Sequence, residues 1–167
     1  MGLLDRLTGT RPGNSGVAPV PVADLRSALL GMTRDTAPWL VRDGVGDGCD
    51  LVGEWRIVDA RWSGIFSEYG LKSVFRVMMK FDEARHEVRN LDEQTTVDWS
   101  GPIPQVGRSW SRGQISEFEA GKVYGFTEQG AFGQVYNYRF RSGEIKNPLR
   151  DMVIQHGWAW KPVSFKL

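Results

Sequence analysis

The chain has 167 residues, 41% of them hydrophobic, with 21 Lys and Arg against 20 Asp and Glu and a formal net charge of +1. That length suits one domain with a sizeable core, and the near-zero charge excludes a global electrostatic attraction to nucleic acid or an acidic substrate. Cys49 is the one cysteine, so an intrachain disulfide and a secreted, disulfide-stapled scaffold are excluded.

Met1 to Leu7 is a scrap of amphipathic helix in which Leu3, Leu4 and Leu7 share a small apolar face. Thr8 to Pro19 is rich in Gly, Pro, Ser and Thr, the composition of a flexible linker. Residues 1–18 are therefore expected to be a disordered tail, and 19–167 a single domain. So short a helix does not form alone in water, so the plain reading is an unstructured terminus. The functional reading is a tethered docking element for a partner protein or a membrane surface. Asp5 interrupts the apolar stretch that a secretory signal needs, and Arg6 stands where N-myristoylation wants Ser or Thr. With no apolar run long enough to span a bilayer, the expected location is cytoplasmic.

Val22, Leu25, Leu29 and Met32 recur at helical spacing, with Pro21 suited to the first turn and Gly31 to the end. A strand is expected at 39–42, then the glycine-rich loop 43–48. A second strand follows, with Leu51, Trp55 and Ile57 on its apolar face, ending at Asp59. Asp59 caps a short helix carrying Trp62, Ile65, Phe66 and Tyr69, stopped by Gly70. From Lys72 to Trp99 the chain reads as a hairpin in period two. Phe75, Val77, Met79 and Phe81 fall on one face, which must be buried. Asp82 to Arg85 turns the chain, and His86 to Trp99 returns with Val97 and Trp99 apolar and Thr96 and Asp98 polar.

Residues 100–107, with Pro102 and Pro104, read as a loop, and 108–118 as a weak or edge strand. Strands are expected at 122–127 and at 134–142, the latter with Tyr136, Tyr138 and Phe140 on one face. Asn147-Pro148 supplies an N-cap and first residue for a last helix. Leu149, Met152 and Val153 form its buried stripe, and Gly157 its left-handed stop. Trp158 to Phe165 closes the chain with a strand. Runs of consecutive strands predict an α+β fold. The expected architecture is a strongly curved, mostly antiparallel sheet of about seven or eight strands, barrel-like at the limit, with two or three short helices.

No segment carries a motif for chemistry. Counted as a calcium loop from Asp43, the chain offers Asp47 and Glu54 at ligand positions but Val45 where an oxygen is required, so a tight polar turn is expected. The same loop lacks the spacing of a dinucleotide fingerprint. His86 and His156 belong to no constellation, and His156 is placed to face the end of the last helix. Histidines and cysteines are too few for a zinc site, and Cys49 has no histidine beside it. There is neither a nucleophile elbow nor a P-loop, so no metal and no cofactor are expected. Charge is segregated: six acids face Arg85 and Arg89 between Asp82 and Asp98, and six bases face Glu144 and Asp151 between Tyr138 and Leu167.

The aromatic supply carries the remaining functional reading. Trp99, Tyr136, Tyr138, Phe140, Trp158 and Trp160 could line one concave face and hold a small apolar ligand, although an ordinary core uses the same residues. The leading expectation is a non-catalytic cytoplasmic binding or interaction module built on an aromatic-rich curved sheet. The alternative is a small enzyme with scattered acid–base residues around a sheet cavity, nominally Glu54, Asp50 and His156. Glu54 is expected mid-strand, with Arg56 as its partner.

The segments Ala37–Gly44, Gly53–Ala60, Lys72–Val77 and Val135–Phe140 resemble blocks in uncharacterised actinobacterial hypothetical proteins. The resemblance covers most of Pro19 to Leu167, and 15 Arg against 6 Lys fits a high-GC coding origin. It implies no activity, cofactor or catalytic residue.

Overall fold

The computed structural model describes residues 8–115 and 142–167, together with the backbone of Tyr124–Phe126 and Tyr136–Tyr138. In chain order the elements are α1 (Val22–Leu30), β1 (Trp39–Asp43), a 3-10 turn (Val45–Asp47), β2 (Leu51–Trp55), α2 (Ala60–Tyr69), β3 (Ser73–Asp82), β4 (Glu87–Ser100), β5 (Ile103–Val106), β6 (Ser111–Gly113), β7 (Tyr124–Phe126), β8 (Tyr136–Tyr138), α3 (Ser142–Gln155) and β9 (Ala159–Val163). The class is α+β. Among the described residues, seven strands form one mostly antiparallel sheet, and β7 and β8 pair separately. The sheet is open, with β1 at one edge, and does not close into a barrel.

The hairpin is the spine of this sheet. β3 and β4 pair from Ser73↔Thr96 to Asp82↔Glu87. The turn is built locally: the Asp82 carboxylate accepts the Arg85 N–H at 3.1 Å and its guanidinium at 2.9 Å. His86 closes the turn with a left-handed φ of 48°, so β4 begins one residue later than the sequence pattern suggests. β4 has fourteen residues, and its second edge takes three short partners in series. β9 runs parallel along Glu87–Leu91, β6 antiparallel along Asp92–Gln94, and β5 antiparallel along Val97–Ser100. Thr95 and Thr96 fall in the gap between β6 and β5.

Phe75, Val77 and Met79 are buried, and Phe81 packs half-buried against the same core. Gly53 lies opposite Val77 on that face, and α3 lies directly on it. A Cβ at Gly53 would sit 2.8 Å from Leu149 Cδ1 and 3.2 Å from Ile145 Cγ2, so glycine sets the depth of the helix. Ile145, Leu149 and Val153 recur every fourth residue and are fully buried. That stripe explains why α3 begins at Ser142 and not at Asn147-Pro148. Burial of Ile145 extends the helix by a turn and outweighs the interior N–H that Pro148 lacks. Ser142, expected at the end of a strand, is thus helical. On the reverse face Cys49, Val52, Met78 and Leu91 form a second cluster, with Val163 and Leu167 packed against it.

Both longer loops out of helices use the same closure. Asp59 accepts the Arg61 N–H at 3.0 Å to start α2. Gly70, at φ 68°, ends that helix as Leu71 N–H reaches back to the Phe66 carbonyl at 3.1 Å. After α3, Gly157 at φ 78° lets Trp158 N–H reach the Val153 carbonyl at 3.2 Å, the paired bonds and apolar contact of a Schellman motif.

Residues 11–20 are not the free linker that their composition suggests. Arg11 and Trp160 exchange two backbone hydrogen bonds of 2.8 Å, Asn14 N–H donates to the Ile154 carbonyl at 3.1 Å, and Val20 N–H to the His156 carbonyl at 3.1 Å. The segment straps the end of α3 and the start of β9, so the domain boundary drawn at residue 19 belongs before Arg11. The physical reason is that the last carbonyls of a helix have no intrahelical partner, and a Gly/Pro-rich chain can run close enough to satisfy them. Leu3, Leu4 and Leu7 lie outside the described residues. Among the described residues no helix is long and apolar enough to cross a membrane.

A Cβ on Gly157 would lie 2.8 Å from Val17 O and 2.8 Å from Pro19 N, both backbone atoms that cannot rotate away. Gly157→Ala therefore adds a strap collision to the ~1 kcal/mol expected of a left-handed alanine. Chemical denaturation should show a loss above that figure, and a smaller loss would mean that the strap is not held as described.

Candidate binding site along β4

The register of the hairpin places Asn90, Asp92, Gln94 and Thr96 opposite Met79, Val77, Phe75 and Ser73. Cross-strand partners share a face of the sheet, so four polar side chains stand on the face where β3 supplies core. This inner row runs from an open end to a closed one.

The open end is a groove of about 530 Å³ lined by Ser73, Gln94, Thr96, Arg108, Ser109 and Ser111, together with Thr95 and Gly107, and among the described residues its lining holds no carboxylate. It exists because backbone pairing lapses at Thr95 and Thr96, where the β5–β6 loop replaces a strand. Thr95 Oγ1 donates to the Ser109 carbonyl at 2.6 Å, and Gly107 N–H donates to the Thr96 carbonyl at 2.8 Å. A Cβ on Gly107 would lie 2.6 Å from Thr96 Oγ1 and 2.8 Å from Thr95 Oγ1, so only glycine brings the loop this close.

Charges on the reverse face hold the same loop from behind. Glu54, Arg76, Glu93 and Arg112 face one another in register across β2, β3, β4 and β6, alternating in sign. Glu93 is fully buried and takes Arg76 at 2.6 Å on one oxygen and Arg112 at 2.7 Å on the other. The Arg76 guanidinium lies 3.9 Å from the centroid of the Trp110 ring, a cation–π contact that fixes the loop's last residue before β6. Glu54 is paired with Arg42, at 2.7 and 2.9 Å, and not with Arg56. The Arg56 guanidinium instead donates to the Arg34 carbonyl at 2.8 Å and meets Asp59. Asp47, the best ligand of the supposed calcium loop, is taken by Arg42 at 2.7 Å and Arg76 at 3.1 Å. Burial pulls its carboxyl upward, but the two arginines together bring it below the usual range.

The closed end of the row is different. Asp92 is fully buried, with Lys146 Nζ 2.5 Å and Ile115 N–H 3.0 Å from the same oxygen, Oδ2. Lys146 also donates to Gln114 Oε1 at 3.2 Å. Asp92 Oδ1 and both amide atoms of the fully buried Asn90 have no hydrogen-bond partner among the described residues. Burial pushes the Asp92 carboxyl above its ordinary pKa, with Lys146 opposing the shift.

Of the aromatic residues expected to line a pocket, three have described side chains, and all three pack in or against the core. Trp158 is buried, its indole N–H donating to the Val20 carbonyl at 2.9 Å and its ring packed on Phe81 and His86. Trp160 is equally buried in the core, and Trp99 is half-buried with its N–H on the Leu71 carbonyl at 2.6 Å. These large flat rings pack into the core between sheet and helices. Tyr136 and Tyr138 sit on β8, whose side chains lie outside the described set, as does Phe140. The nominal acid–base residues do not converge. The Asp50 carboxylate accepts the Phe81 N–H at 2.8 Å, Glu54 is held by Arg42, and His156 Nδ1 meets the Met152 carbonyl at 2.8 Å. Among the described residues no group of three His, Cys, Asp or Glu is placed to hold a metal ion.

Neither family models, curated proteins nor solved structures give a match to this chain.

Sequence reasoning missed Asn90, Asp92, Gln94, Arg108 and Lys146. The signal was the period-two polar row 90–96, which means little until the register shows that it faces the core.

Because the folded Asp92 pKa lies above its unfolded value near 3.8, the native state holds the proton more tightly. Stability from this group is present below pH 3.8 and is lost as pH rises through the raised value. Unfolding free energy measured against pH should therefore fall across that window in the wild type relative to Asp92→Asn. A flat difference between the two would show the carboxylate to be unperturbed.

Proposed function

We propose that the protein is a non-catalytic binding module that takes a small polar ligand at the β4 seam, with the inner row of β4 as the wall that recognises it. The observation that carries this reading is the row Asn90, Asp92, Gln94 and Thr96 on a face that alternation would make apolar, leading from the groove to buried polar atoms without partners among the described residues. Leaving such groups unpaired costs on the order of 1–3 kcal/mol each, a cost that a fold built for stability alone would avoid with aliphatic side chains. The expected ligand class moves from apolar to polar, because Trp99, Trp158 and Trp160 are spent on packing. Catalysis by Glu54, Asp50 and His156 has less support, since each already has a separate partner: Arg42, the Phe81 N–H and the Met152 carbonyl. A cytoplasmic location belongs to this reading, supported by the single, buried Cys49, as does a docking role for Leu3, Leu4 and Leu7.

The test is an amide chemical-shift titration of the full chain with a library of hydrophilic fragments, with fragment masses recorded afterwards. Saturable shifts centred on Thr95, Thr96, Gly107 and Ser109, abolished by Ser111→Trp and with fragment masses unchanged, are expected. Responses centred elsewhere would remove the site, and chemically altered fragments would favour an enzyme.

The tail is tested in parallel. Deleting residues 1–7 should change which proteins co-purify and leave Tm unchanged. Deleting 1–18 removes the Arg11 and Asn14 strap bonds and should lower Tm by about 4 °C or more, given roughly 2–4 °C per kcal/mol for a chain of this size. Unchanged co-purification would return Met1–Leu7 to a plain terminus.

A further inference from the structure

Resting on the binding reading above, we infer that the ligand of the seam carries an oxyanion, and that Arg108 with the hydroxyls of Thr96, Ser109 and Ser111 is its seat. Among the described residues, the groove has one formal charge in its lining, Arg108, and no carboxylate to neutralise it. The arginines around it are spoken for: Arg76 and Arg112 on Glu93, and Arg42 on Glu54 and Asp47. The Arg108 side chain has no acidic partner among the described residues, and the Glu93 pairs keep Arg76 and Arg112 on the reverse face, away from the groove.

The other donors fit the same guest. Thr95 Oγ1 is occupied by the loop carbonyls, and the Gln94 amide donates to Ser73 Oγ at 3.0 Å. Thr96, Ser109 and Ser111 are exposed, and their hydroxyls make no hydrogen bond among the described residues. A guanidinium fork flanked by hydroxyl donors matches a phosphate or carboxylate group, which accepts at every oxygen. Among the described residues, a cation finds no carboxylate here to offset Arg108. A groove of about 530 Å³ exceeds the size of a lone oxyanion and falls within the ~300–1,000 Å³ of small-molecule sites. The anion is thus one end of a small organic molecule, whose remaining polar groups lie along the inner row.

The experiment titrates the isotope-labelled full chain with sodium phosphate, sodium acetate and glucose, each at ionic strength held constant with sodium chloride. It reads the Arg108 side-chain N–H and the amides of Thr96, Ser109 and Ser111, in the wild type, Arg108→Gln and Arg108→Lys. Arg108 is an exposed loop residue, so both variants should keep the wild-type spectrum elsewhere. The expected result is a saturable response to phosphate, acetate or both, weakened about tenfold or more in Arg108→Gln and partly retained in Arg108→Lys, as loss of a charge-assisted hydrogen bond predicts. Phosphate alone, or acetate alone, would name the oxyanion. A response no larger than that to chloride, or one equal in Arg108→Gln, overturns the inference. Should glucose shift the seam while neither anion does, the oxyanion inference fails and the binding reading survives; should nothing shift the seam, both fail.

Discussion

Pairing of β3 with β4 decides where every other part of the molecule can go. Side chains alternate along a strand, so the register from Ser73↔Thr96 to Asp82↔Glu87 sorts the two longest strands into an inner and a reverse face at once. β2 adds to the free edge of β3 and β1 to β2, while Thr33 Oγ1 bonds both the N–H and the carbonyl of Val41 on the outer edge of β1. On the other side β4 is longer than any partner it finds. Three short strands share that edge, and the lapse between β6 and β5 makes the groove.

Two adjacent acids show how differently the faces are used. Asp92 and Glu93 point to opposite sides of β4, and both are fully buried. A buried carboxylate is tolerated only when paired and hydrogen-bonded, and loss of one partner from such a pair costs about 3–5 kcal/mol. Glu93 meets this condition on both oxygens, through Arg76 and Arg112, and the result ties β6 and Trp110 to the spine. Among the described residues, Asp92 meets it on one oxygen only. The reverse row is thus a closed ion-pair ladder with a structural task. Among the described residues, the inner row keeps hydrogen-bonding capacity without a partner at Asn90 and at one Asp92 oxygen.

Local signals made much of the fold legible. The caps Asp59, Gly70 and Gly157, the helix from Val22 and the buried face Phe75–Phe81 each depend on residues close in sequence, and each is found. What failed depended on distant partners. Pro148 reads as a helix start until Ile145 is known to lie under the sheet, and the Gly/Pro composition of 11–20 gives no hint of the carbonyls that it meets on α3. The site itself turned on one residue. Starting β4 at His86 instead of Glu87 slips the register by one, and a slip of one exchanges the faces, turning Asn90, Asp92 and Gln94 into ordinary solvent-facing residues. The left-handed φ of His86, a conformation unusual outside glycine, is what hides the true start. β5, β6 and β9, at three to five residues each, carry too little pattern to reveal that they share one edge.

The groove's position also accounts for how its walls are held without a strand behind them. Where pairing lapses, the turn at Gly107–Ser109 meets the Thr95 hydroxyl through its Gly107 and Ser109 carbonyls and the Thr96 carbonyl through the Gly107 N–H. The far end of that turn is fixed by Trp110 on Arg76 and Arg112 on Glu93. The loop is anchored on both sides of Arg108, while the Arg108 side chain has no acidic partner among the described residues. Ordering that a ligand must impose diminishes binding energy, and a loop pinned at both ends leaves less of it to impose than a loose one. The ion-pair ladder and the seam therefore act as one arrangement: charges neutralised on the reverse face hold in place the loop that carries Arg108.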